Sequence, residues 1–312
     1  QSRAWMLSAA RHYFAKRDVL EVETPLLSTS PVSDPHIESI RASMRCAQDR
    51  PLFLRTSPEY PMKRLLAAGY PDIYEIGKVF RDGERGARHE PEFTMVEWYR
   101  RGFSLREIID DTLGLLSTLI DDRYLPEPAQ RIDYRDAFLR VVGIDPCKAT
   151  VQELMQIARA DDSLAKSIGD DRDSWLDLIL ARDVASEFPN NALTVIQHYP
   201  ASQAALARLC PDDSAVAERF EVFIGPLELA NGYVELTDAD EQRRRFQRDQ
   251  EQRRSLARTT WPLDQNLLDA LEHGLPPCAG VAVGFDRLLM INQQAEHIRN
   301  VLSIAFEEPV ND

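Results

Sequence analysis

Cysteine and histidine are too sparse in this sequence to form a recognisable metal or redox motif. The four cysteines, Cys46, Cys147, Cys210 and Cys278, are far apart in a chain of 312 residues, and none forms a C-x-x-C pair. The six histidines are equally scattered and form no H-E-x-x-H motif. These absences favour free thiols in a reducing compartment and argue against a structural or catalytic zinc.

Long apolar runs are also absent. No stretch of about 18 apolar residues could span a bilayer, and Arg3 and Arg11 make the opening segment unlike the apolar core of a secretory signal. The chain is nevertheless 44% hydrophobic, which is enough to bury a substantial core. We therefore expect a soluble, cytoplasmic protein of enzyme size that has no membrane partner.

Basic residues are outnumbered in the chain. There are 37 lysines and arginines against 51 aspartates and glutamates, which gives a net charge of −14. A nucleic-acid partner is usually met by a basic surface that releases counterions from phosphates. The charge balance therefore mildly favours another kind of partner, although a local basic patch could lie within the acidic total.

Periodicity predicts an α+β fold built on an antiparallel sheet. Apolar residues recur with a helical period in residues 3–16 and 105–120, and residues 145–190 are polar and helical in character. Other segments are rich in β-branched and aromatic residues and are bounded by Gly, Pro or Ser, as strands are. They are PLFLRTS, DIYEIGKVFR, FTMVEWYR, RFEVFIG and GVAVGF. We expect a single domain over residues 1–312 with a helical insertion at about 145–190.

The densest mixture of opposite charges lies between Phe80 and Arg100. This segment, FRDGERGARHEPEFTMVEWYR, predicts a hairpin whose long loop carries most of the charge. Alternation along the second strand places Phe93, Glu97 and Tyr99 on one face. Because a buried carboxylate without a cation is costly, Glu97 either meets a ligand or lies on a solvent-exposed face of the sheet.

A strand-to-helix turn in LRTSPEYPMKRLL carries a second candidate carboxylate. Ser57 and Glu59 lie at this turn, and Pro58 and Pro61 restrict its backbone. Exposed amides at such a turn can contact a ligand. An ordinary helix start, with Ser57 as its cap, is equally compatible with the local sequence.

Three further carboxylates are spaced by seven residues in FEVFIGPLELANGYVELTD. They are Glu221, Glu228 and Glu235. The segment predicts a hairpin with one turn at its Gly-Pro pair and another at Asn231-Gly232. Three carboxylates on one hairpin could bind a hard cation or an ammonium group, unless they lie on a solvated edge.

Small residues dominate the last predicted strand, in CAGVAVGFDRLLM. Gly280, Ala282 and Gly284 would let a ligand approach the backbone closely. A helix predicted to begin near Asp286 carries Arg287, whose planar guanidinium suits a phosphate. The segment therefore indicates a phosphate-binding edge of the sheet.

Taken in order, these motifs resemble those of the class II aminoacyl-tRNA synthetases. VLEVETPLL is similar to motif 1, Arg81 with HEPEFTMVEWYR to motif 2, and GVAVGFDRLL to motif 3. TSPEY, MKRLL and ELANGYVEL resemble the catalytic domain of lysyl-tRNA synthetases. Motif 1 begins already at Val19, and we therefore expect no anticodon-binding domain. The sequence therefore most resembles the lineage of short paralogues that ligate lysine to elongation factor P.

The resemblance implies a fold and a reaction. The fold would be the class II catalytic core, a mainly antiparallel sheet flanked by helices, assembled as a homodimer without an anticodon-binding domain. The enzyme would use ATP and Mg²⁺ to activate (R)-β-lysine, or lysine, as an aminoacyl-adenylate. It would then transfer the acyl group to a lysine ε-amine on elongation factor P, and no tRNA partner is expected.

The resemblance also implies the residues of each subsite. Arg81 and Arg287 would be the catalytic pair that stabilises charge on the phosphates. The ATP site would comprise Arg81, Asp82, Gly83, Glu84, His89, Glu90, Phe93, Glu228, Leu229, Gly284 and Arg287. The donor site would comprise Ser57, Pro58, Glu59, Glu97, Tyr99, Asn231, Glu235 and Ala282. Glu221 and Glu228 would carry Mg²⁺.

Several of these implied roles are specific. Glu59 would meet one amino group of the donor, whereas Glu97, Tyr99 and Glu235 would meet the other. Ala282 resembles the alanine of the ligase lineage, at a position where lysyl-tRNA synthetases keep glycine. Its methyl group would trim the pocket in favour of a β-amino acid, a discrimination of about 1–3 kcal/mol.

Two positions depart from motif 2 of the family. Gly83 stands where a glutamate is usual, and Glu84 follows one place later, where it would take over the adenine contact. Glu90 stands where an asparagine is usual, so Arg85 or Arg88 would have to neutralise it. Two alternative functions stay open: a truncated lysyl-tRNA synthetase-like ligase that acts on RNA with α-lysine, and a non-catalytic amino-acid-sensing paralogue.

Overall fold

The computed structural model describes residues 1–45 and 51–306. Cys46, one of the predicted free thiols, lies outside the described residues. The α-helices in these ranges are α1 Ser2–Ala15, α2 Glu59–Ala67, α3 Leu105–Leu119, α4 Tyr134–Val142, α5 Val151–Ala158, α6 Asp162–Ile168, α7 Arg172–Ile179, α8 Ala239–Ser255, α9 Gln265–Gly274 and α10 Phe285–Gln293. The strands are β1 Leu20–Glu21, β2 Leu27–Ser28, β3 Arg41–Ala42, β4 Leu52–Leu54, β5 Ile73–Phe80, β6 Glu92–Arg101, β7 Gln130–Asp133, β8 Leu193–Pro200, β9 Val216–Ile224, β10 Leu227–Val234 and β11 Cys278–Gly284.

Eight strands form one sheet in the order β1-β5-β6-β11-β10-β9-β8-β7. The six central strands pair antiparallel, whereas β1 and β7 pair parallel with their neighbours at the two edges. The predicted α+β fold with a mainly antiparallel sheet flanked by helices is confirmed. None of the helices in the described ranges is long and apolar enough to cross a membrane.

A second, three-stranded sheet has the order β2-β4-β3. The segment PLFLRTS, which the sequence groups with the other strands, supplies β4 to this small sheet instead of the large one. Its chain then enters α2 through Ser57 and Pro58. The small sheet therefore places the start of α2 beside the large sheet.

One face of the large sheet is covered by α1, α3 and α10. Phe14 of α1 stacks on Tyr74 with ring centroids 4.2 Å apart and meets Trp98 edge-on. Ser104 begins α3 with a capping box, in which its hydroxyl accepts from the Glu107 amide and the Glu107 carboxylate accepts in return. Because Trp98 lies in this core, alternation along β6 places Glu97 and Tyr99 on the opposite face.

Helices α4 to α7 form a second apolar core beside β8. Trp175, Tyr134 and Phe138 are completely buried there, together with Ile196 and Tyr199 of β8. The helical stretch begins at Tyr134, earlier than the expected 145. The division of the chain into one domain with an insertion stays a prediction.

The turn expected at Asn231-Gly232 was wrong, because both residues lie inside β10. The Gly-Pro turn is present, with Gly225 at φ +51° between β9 and β10. At Gly232, a Cβ would lie 2.7 Å from the Gly280 carbonyl oxygen and 2.8 Å from the Phe220 ring. This glycine therefore serves close packing between strands and not a turn.

Candidate active site

A row of polar and small side chains crosses the face of the sheet opposite α1, α3 and α10, at one level. Directly paired residues of neighbouring strands point to the same face. The pairs Glu75–Glu97, Glu97–Ala282, Ala282–Asn231 and Asn231–Glu221 join five strands. The structure thus brings together four predicted site residues that come from four different strands.

A second row runs beside the first, one step nearer to α2. It contains Tyr99, Gly280, Tyr233 and Arg219, which pair in that order. Gly284 of β11 pairs with Met95 on the other side of the first row. We call the end of the site near α2 the donor pocket, and the end near Gly284 and Arg287 the phosphate end.

A β-bulge in β10 places Glu228 on the site face. Glu228 pairs with Phe223, yet Ala230 already pairs with Val222, so Leu229 is an extra residue in the strand. Without the bulge, Glu228 would point away from Asn231, because the two residues are an odd number of positions apart. Leu229 is buried in the core on the opposite face, so its predicted contact with ATP would have to come from its backbone.

The donor pocket contains an ion cluster that the sequence motifs predicted only in part. Lys63 Nζ donates to Glu59 Oε1 at 2.7 Å and lies 2.5 Å from Glu235 Oε2. The Tyr233 hydroxyl also donates to Glu59 Oε1, at 2.6 Å. Glu235 Oε1 is buried and has no hydrogen-bond donor among the described residues. A buried carboxylate oxygen without a donor indicates a position for a cationic ligand group.

Glu97 lies in the same pocket and is almost fully buried, which rules out the solvent-exposed alternative. Its two oxygens accept from the Ser57 hydroxyl at 2.8 Å and from the Tyr99 hydroxyl at 2.7 Å. Ser57 also accepts from the Glu59 amide at 2.9 Å. Ser57 therefore stabilises the start of α2 and also orients Glu97. Pro58 is the N-cap residue of this helix.

Negative charge is in excess in the donor pocket. Among the described side chains, Glu59, Glu97 and Glu235 face one ammonium, that of Lys63, so these four groups carry a net charge of −2 when all are ionised. Burial, followed by repulsion from Glu59, raises the pKa of Glu97 to about 7. Burial likewise raises the pKa of Glu235 to about 8, against the stabilising effect of Lys63. A ligand with two ammonium groups would relieve this excess.

At the phosphate end, Arg287 is held by two predicted site residues. Its Nη1 donates to the Glu228 carbonyl oxygen at 2.8 Å and lies 3.4 Å from the Glu228 carboxylate. Its Nη2 lies 2.8 Å from His89 Nε2. Burial and the neighbouring Arg287 lower the pKa of His89, so the neutral ring accepts this bond. His89 and Arg287, both expected in the ATP site, are therefore in direct contact.

A buried aspartate anchors the helix that carries Arg287. Asp286 accepts from the Thr94 amide at 2.6 Å and also binds the Arg3 guanidinium. Thr94 follows Phe93 in β6, so this contact joins α10 to the strand that carries the Phe93 ring. Asp286 was predicted only as the start of a helix.

The loop between β5 and β6 carries the remaining predicted ATP residues. The Arg81 guanidinium lies 5.3 Å from the centre of the Phe93 ring, and its Nη1 lies 3.4 Å from Glu84. Asp82 donates its amide to the Glu38 carbonyl oxygen at 2.9 Å. Gly83 has φ +75°, a conformation that favours glycine. The shift of the glutamate to position 84 thus accompanies a turn that requires glycine at position 83.

Glu90 is buried and its carboxylate lies 3.3 Å from Arg299 Nε. The sequence suggested Arg85 or Arg88 as the neutralising residue, yet Arg88 donates to the Pro226 carbonyl oxygen. Arg299 lies far along the chain, which is why the local sequence did not reveal it. An ion pair with Arg299 compensates at least part of the extra charge that this departure introduces.

Glu221 and Glu228 form a carboxylate pair on one face of the sheet. Burial raises the pKa of Glu221 to about 7, Arg219 opposes this, and Glu228 raises it further. Arg219 holds Glu221 in place at 2.6 Å and also donates to Asn231 at 3.3 Å. Two mutually repelling carboxylates fit an oxygen-seeking divalent cation, although no group of three or more metal-ligating side chains occurs in the described ranges.

Comparison with known proteins identifies the family of this chain. The family described as tRNA synthetases class II (D, K and N) matches residues 1–307. The chain belongs to the class II tRNA synthetases. The resemblance seen in motifs 1, 2 and 3 is therefore confirmed.

Curated relatives place the chain within this synthetase family. Elongation factor P–(R)-β-lysine ligase of Avibacterium paragallinarum is 42% identical, over 98% of this chain and 94% of its own length. The proteins of the same name from Photorhabdus laumondii and Salmonella typhi are 43% and 42% identical, over 97% and 98% of this chain and 93% and 94% of their own. The resemblance to the short ligase lineage is confirmed as well.

Two buried cations of this class II site were missed in the sequence, Lys63 and Arg219. Lys63 follows Glu59 by four residues on α2, a spacing that places two side chains on one helix face. This spacing could have indicated the ion pair. Arg219 precedes Glu221 by two residues on β9, so the period of a strand could have placed both on the site face.

We expect Gly280→Ala to destabilise this synthetase fold. A Cβ at position 280 would lie 2.3 Å from the Tyr99 ring and 2.7 Å from Glu235 Oε1. Both neighbours are buried, so the loss should be about 1–3 kcal/mol in the free energy of unfolding, measured by urea denaturation. Gly284→Ala on the same strand is the matched control, because its Cβ would meet Arg287 Cδ at an ordinary 3.5 Å. Equal stability of both variants would contradict the expectation.

Proposed function

We propose that this protein activates (R)-β-lysine with ATP and transfers the acyl group to a lysine ε-amine of elongation factor P. The observation that carries the proposal is the donor pocket, where Glu59, Glu97 and Glu235 exceed the single Lys63 cation. Such a pocket suits a donor with two ammonium groups. The names of the relatives support the same donor and acceptor.

The first step needs no nucleophile from the protein. An oxygen of the donor carboxylate would attack the α-phosphorus of ATP, and pyrophosphate would leave. Arg81 would stabilise the charge that develops on the α-phosphate, while Arg287 and His89 would hold the γ-phosphate. Phe93 would stack on adenine, and Gly284 would let the nucleotide lie against β11.

The second step forms the amide. The acceptor ε-amine, after losing a proton, would attack the acyl carbon of the adenylate, and AMP would leave. The acceptor amine has an ordinary pKa near 10.4. Asn231 and Ala282, which are paired in the middle of the row, would line the position of the reacting carbon.

We also propose that Glu221 and Glu228 bind Mg²⁺. When bound, the ion would neutralise charge on the phosphates during adenylate formation. The two carboxylates lie on the same face only because of the bulge at Leu229. Arg219 would keep Glu221 oriented towards the ion.

We propose that the protein acts in the cytoplasm as a homodimer. Three of its cysteines, Cys147, Cys210 and Cys278, are free thiols, which supports a reducing compartment. Apolar side chains are exposed on and around the motif 1 segment, where the resemblance implies the dimer contact. They are Trp5, Leu20, Leu26 and Leu27.

Amino-acid-dependent ATP–pyrophosphate exchange tests the proposal. The purified protein would be assayed with (R)-β-lysine, with α-lysine and without an amino acid, and elongation factor P would then be analysed by mass spectrometry. We expect exchange to be strongest with (R)-β-lysine and elongation factor P to gain one β-lysyl group. Preference for α-lysine would favour an RNA-directed ligase, and no exchange at all would favour a sensing protein.

Donor binding should strengthen as pH rises. The pKa of Glu97 is raised to about 7 and that of Glu235 to about 8, so both are largely protonated at pH 6 and cannot pair with an ammonium group. We expect KM for (R)-β-lysine, at saturating ATP, to fall at least about tenfold between pH 6 and pH 8, since a carboxyl group is about one-tenth ionised when the pH is one unit below its pKa and about nine-tenths ionised one unit above it. A KM for (R)-β-lysine that stays constant between pH 6 and pH 8 would contradict this prediction.

A further inference from the structure

Lys63 is one of the most deeply buried cations in the described part of the chain. Its side chain is 2% exposed, and its Nζ is bound by Glu59 and Glu235 at 2.7 and 2.5 Å. The ammonium also lies 5.5 Å from the centre of the Tyr233 ring. A lysine so far from water is retained only when its partners replace the lost hydration.

The position of Lys63 is fixed by the helix that carries it. Glu59 and Lys63 are one turn apart on α2, and Glu235 follows the end of β10. The ammonium therefore joins the helix to the sheet at the far end of the donor pocket. It donates to Glu59 Oε1 and lies 2.5 Å from Glu235 Oε2, and no described residue donates a hydrogen bond to the buried Glu235 Oε1.

The same contacts fix the electrostatic balance of the pocket. The titratable groups that face Lys63, or act on it from neighbouring elements, are Glu59, Glu97, Tyr99, Tyr233, Glu235 and Cys278. Burial raises the pKa of Tyr99 and Tyr233 well above 10, so both stay neutral. Burial also raises the pKa of the Cys278 thiol, so among these six groups and Lys63 the three glutamates and the lysine set the charge.

We propose that Lys63 is a positioning residue that selects a donor with two ammonium groups, because it orients Glu59 and Glu235 and limits the net charge of the pocket to −2. This inference rests on the proposed function. Without Lys63, three close carboxylates would repel one another more strongly, and they would take up protons at higher pH. Such protonation would remove the charges that a diamino donor needs.

The test compares Lys63→Met with the double variant Lys63→Met/Glu235→Gln. KM for (R)-β-lysine and KM for ATP would be measured by pyrophosphate exchange from pH 6.5 to 9. For K63M we expect donor KM to rise at least 30-fold while KM for ATP changes less than threefold. We also expect the pH at which donor binding is half-maximal to move up by at least one unit. The double variant should return this pH towards the wild-type value, because it restores the net charge of −2, although its donor KM should stay high.

A merely structural Lys63 predicts different results. K63M would then weaken the binding of donor and ATP alike and leave the pH profile of donor binding unchanged, which would overturn the inference.

If K63M does not fold, Glu59→Gln gives an independent test, since it keeps the Lys63–Glu235 pair and reduces the net negative charge of the pocket from −2 to −1. The pH midpoint of E59Q should move down, and an unchanged midpoint would overturn the inference. A wild-type protein without (R)-β-lysine-dependent exchange would overturn the proposed function and the inference together, whereas an active wild type with unshifted variants would overturn the inference alone.

Discussion

Arg287→Ala should reduce kcat/KM for ATP in pyrophosphate exchange by about 10²–10³-fold, as loss of a preorganised charge donor does in other active sites. Arg287 contacts both Glu228 and His89. Its ion-pair partner Glu228 is 41% exposed and lies 3.4 Å away, so the pair should contribute little to folding. We therefore expect a large kinetic loss with a nearly unchanged thermal midpoint.

Two further variants sharpen this result. Arg287→Lys keeps the charge but not the planar fork, so its activity should fall between those of wild type and R287A. Arg106→Ala removes a side chain that is 85% exposed on α3, and it should behave as wild type. If R287A kept more than a third of wild-type kcat/KM, Arg287 could not be the phosphate-binding residue.

Arg55→Met should cause the largest loss of stability among the variants considered. Arg55 and Glu75 are both about 95% buried and form an ion pair of 2.6 Å. The Arg55 guanidinium also donates to the Thr24 hydroxyl and to the Lys78 carbonyl oxygen. Within the described part of the chain, its removal would leave Glu75 with the Thr24 hydroxyl as its one donor, which should lower the free energy of unfolding by about 3–5 kcal/mol.

Urea denaturation would check this expectation. The double variant Arg55→Met/Glu75→Gln should recover part of the loss, because no unpaired charge then stays buried. Arg123→Ala is a suitable control, since its pair with Asp121 is exposed and should contribute less than about 1 kcal/mol. A loss in R55M no larger than that of R123A would show that the buried pair is not stabilising.

Much of the fold followed from local patterns. Helices α1 and α3 and the hairpin of β5 and β6 were predicted within one or two residues, because apolar period and turn residues act over short distances. Strand β8 was missed, and Asn231-Gly232 was placed in a turn. At position 232 the decisive contact is between strands that are distant in the sequence, because the close approach of the Gly280 backbone leaves no room for a Cβ.

In the candidate site, too, some features could be predicted from local sequence patterns and others could not. Glu97 could be recognised as unusual from alternation along a single strand. The partner of Glu90, however, is Arg299, more than two hundred positions later, and the depth at which Lys63 is buried depends on how α2 packs on the sheet. The bulge that turns Glu228 towards Glu221 leaves no recognisable mark in the local sequence. Such features depend on how segments that are distant in the chain pair and pack, and a single sequence does not show this.

The row of paired residues from Glu75 to Glu221 has a consequence for folding. Its members come from two hairpins that are distant in the chain, β5–β6 and β9–β10, and from β11, which joins them, so the row exists only after these strands have found their register. Contacts of such high sequence separation form late and slowly. Ligands can therefore stabilise only the finished sheet, and binding activity would serve as a late reporter in refolding experiments, appearing after the helices have formed.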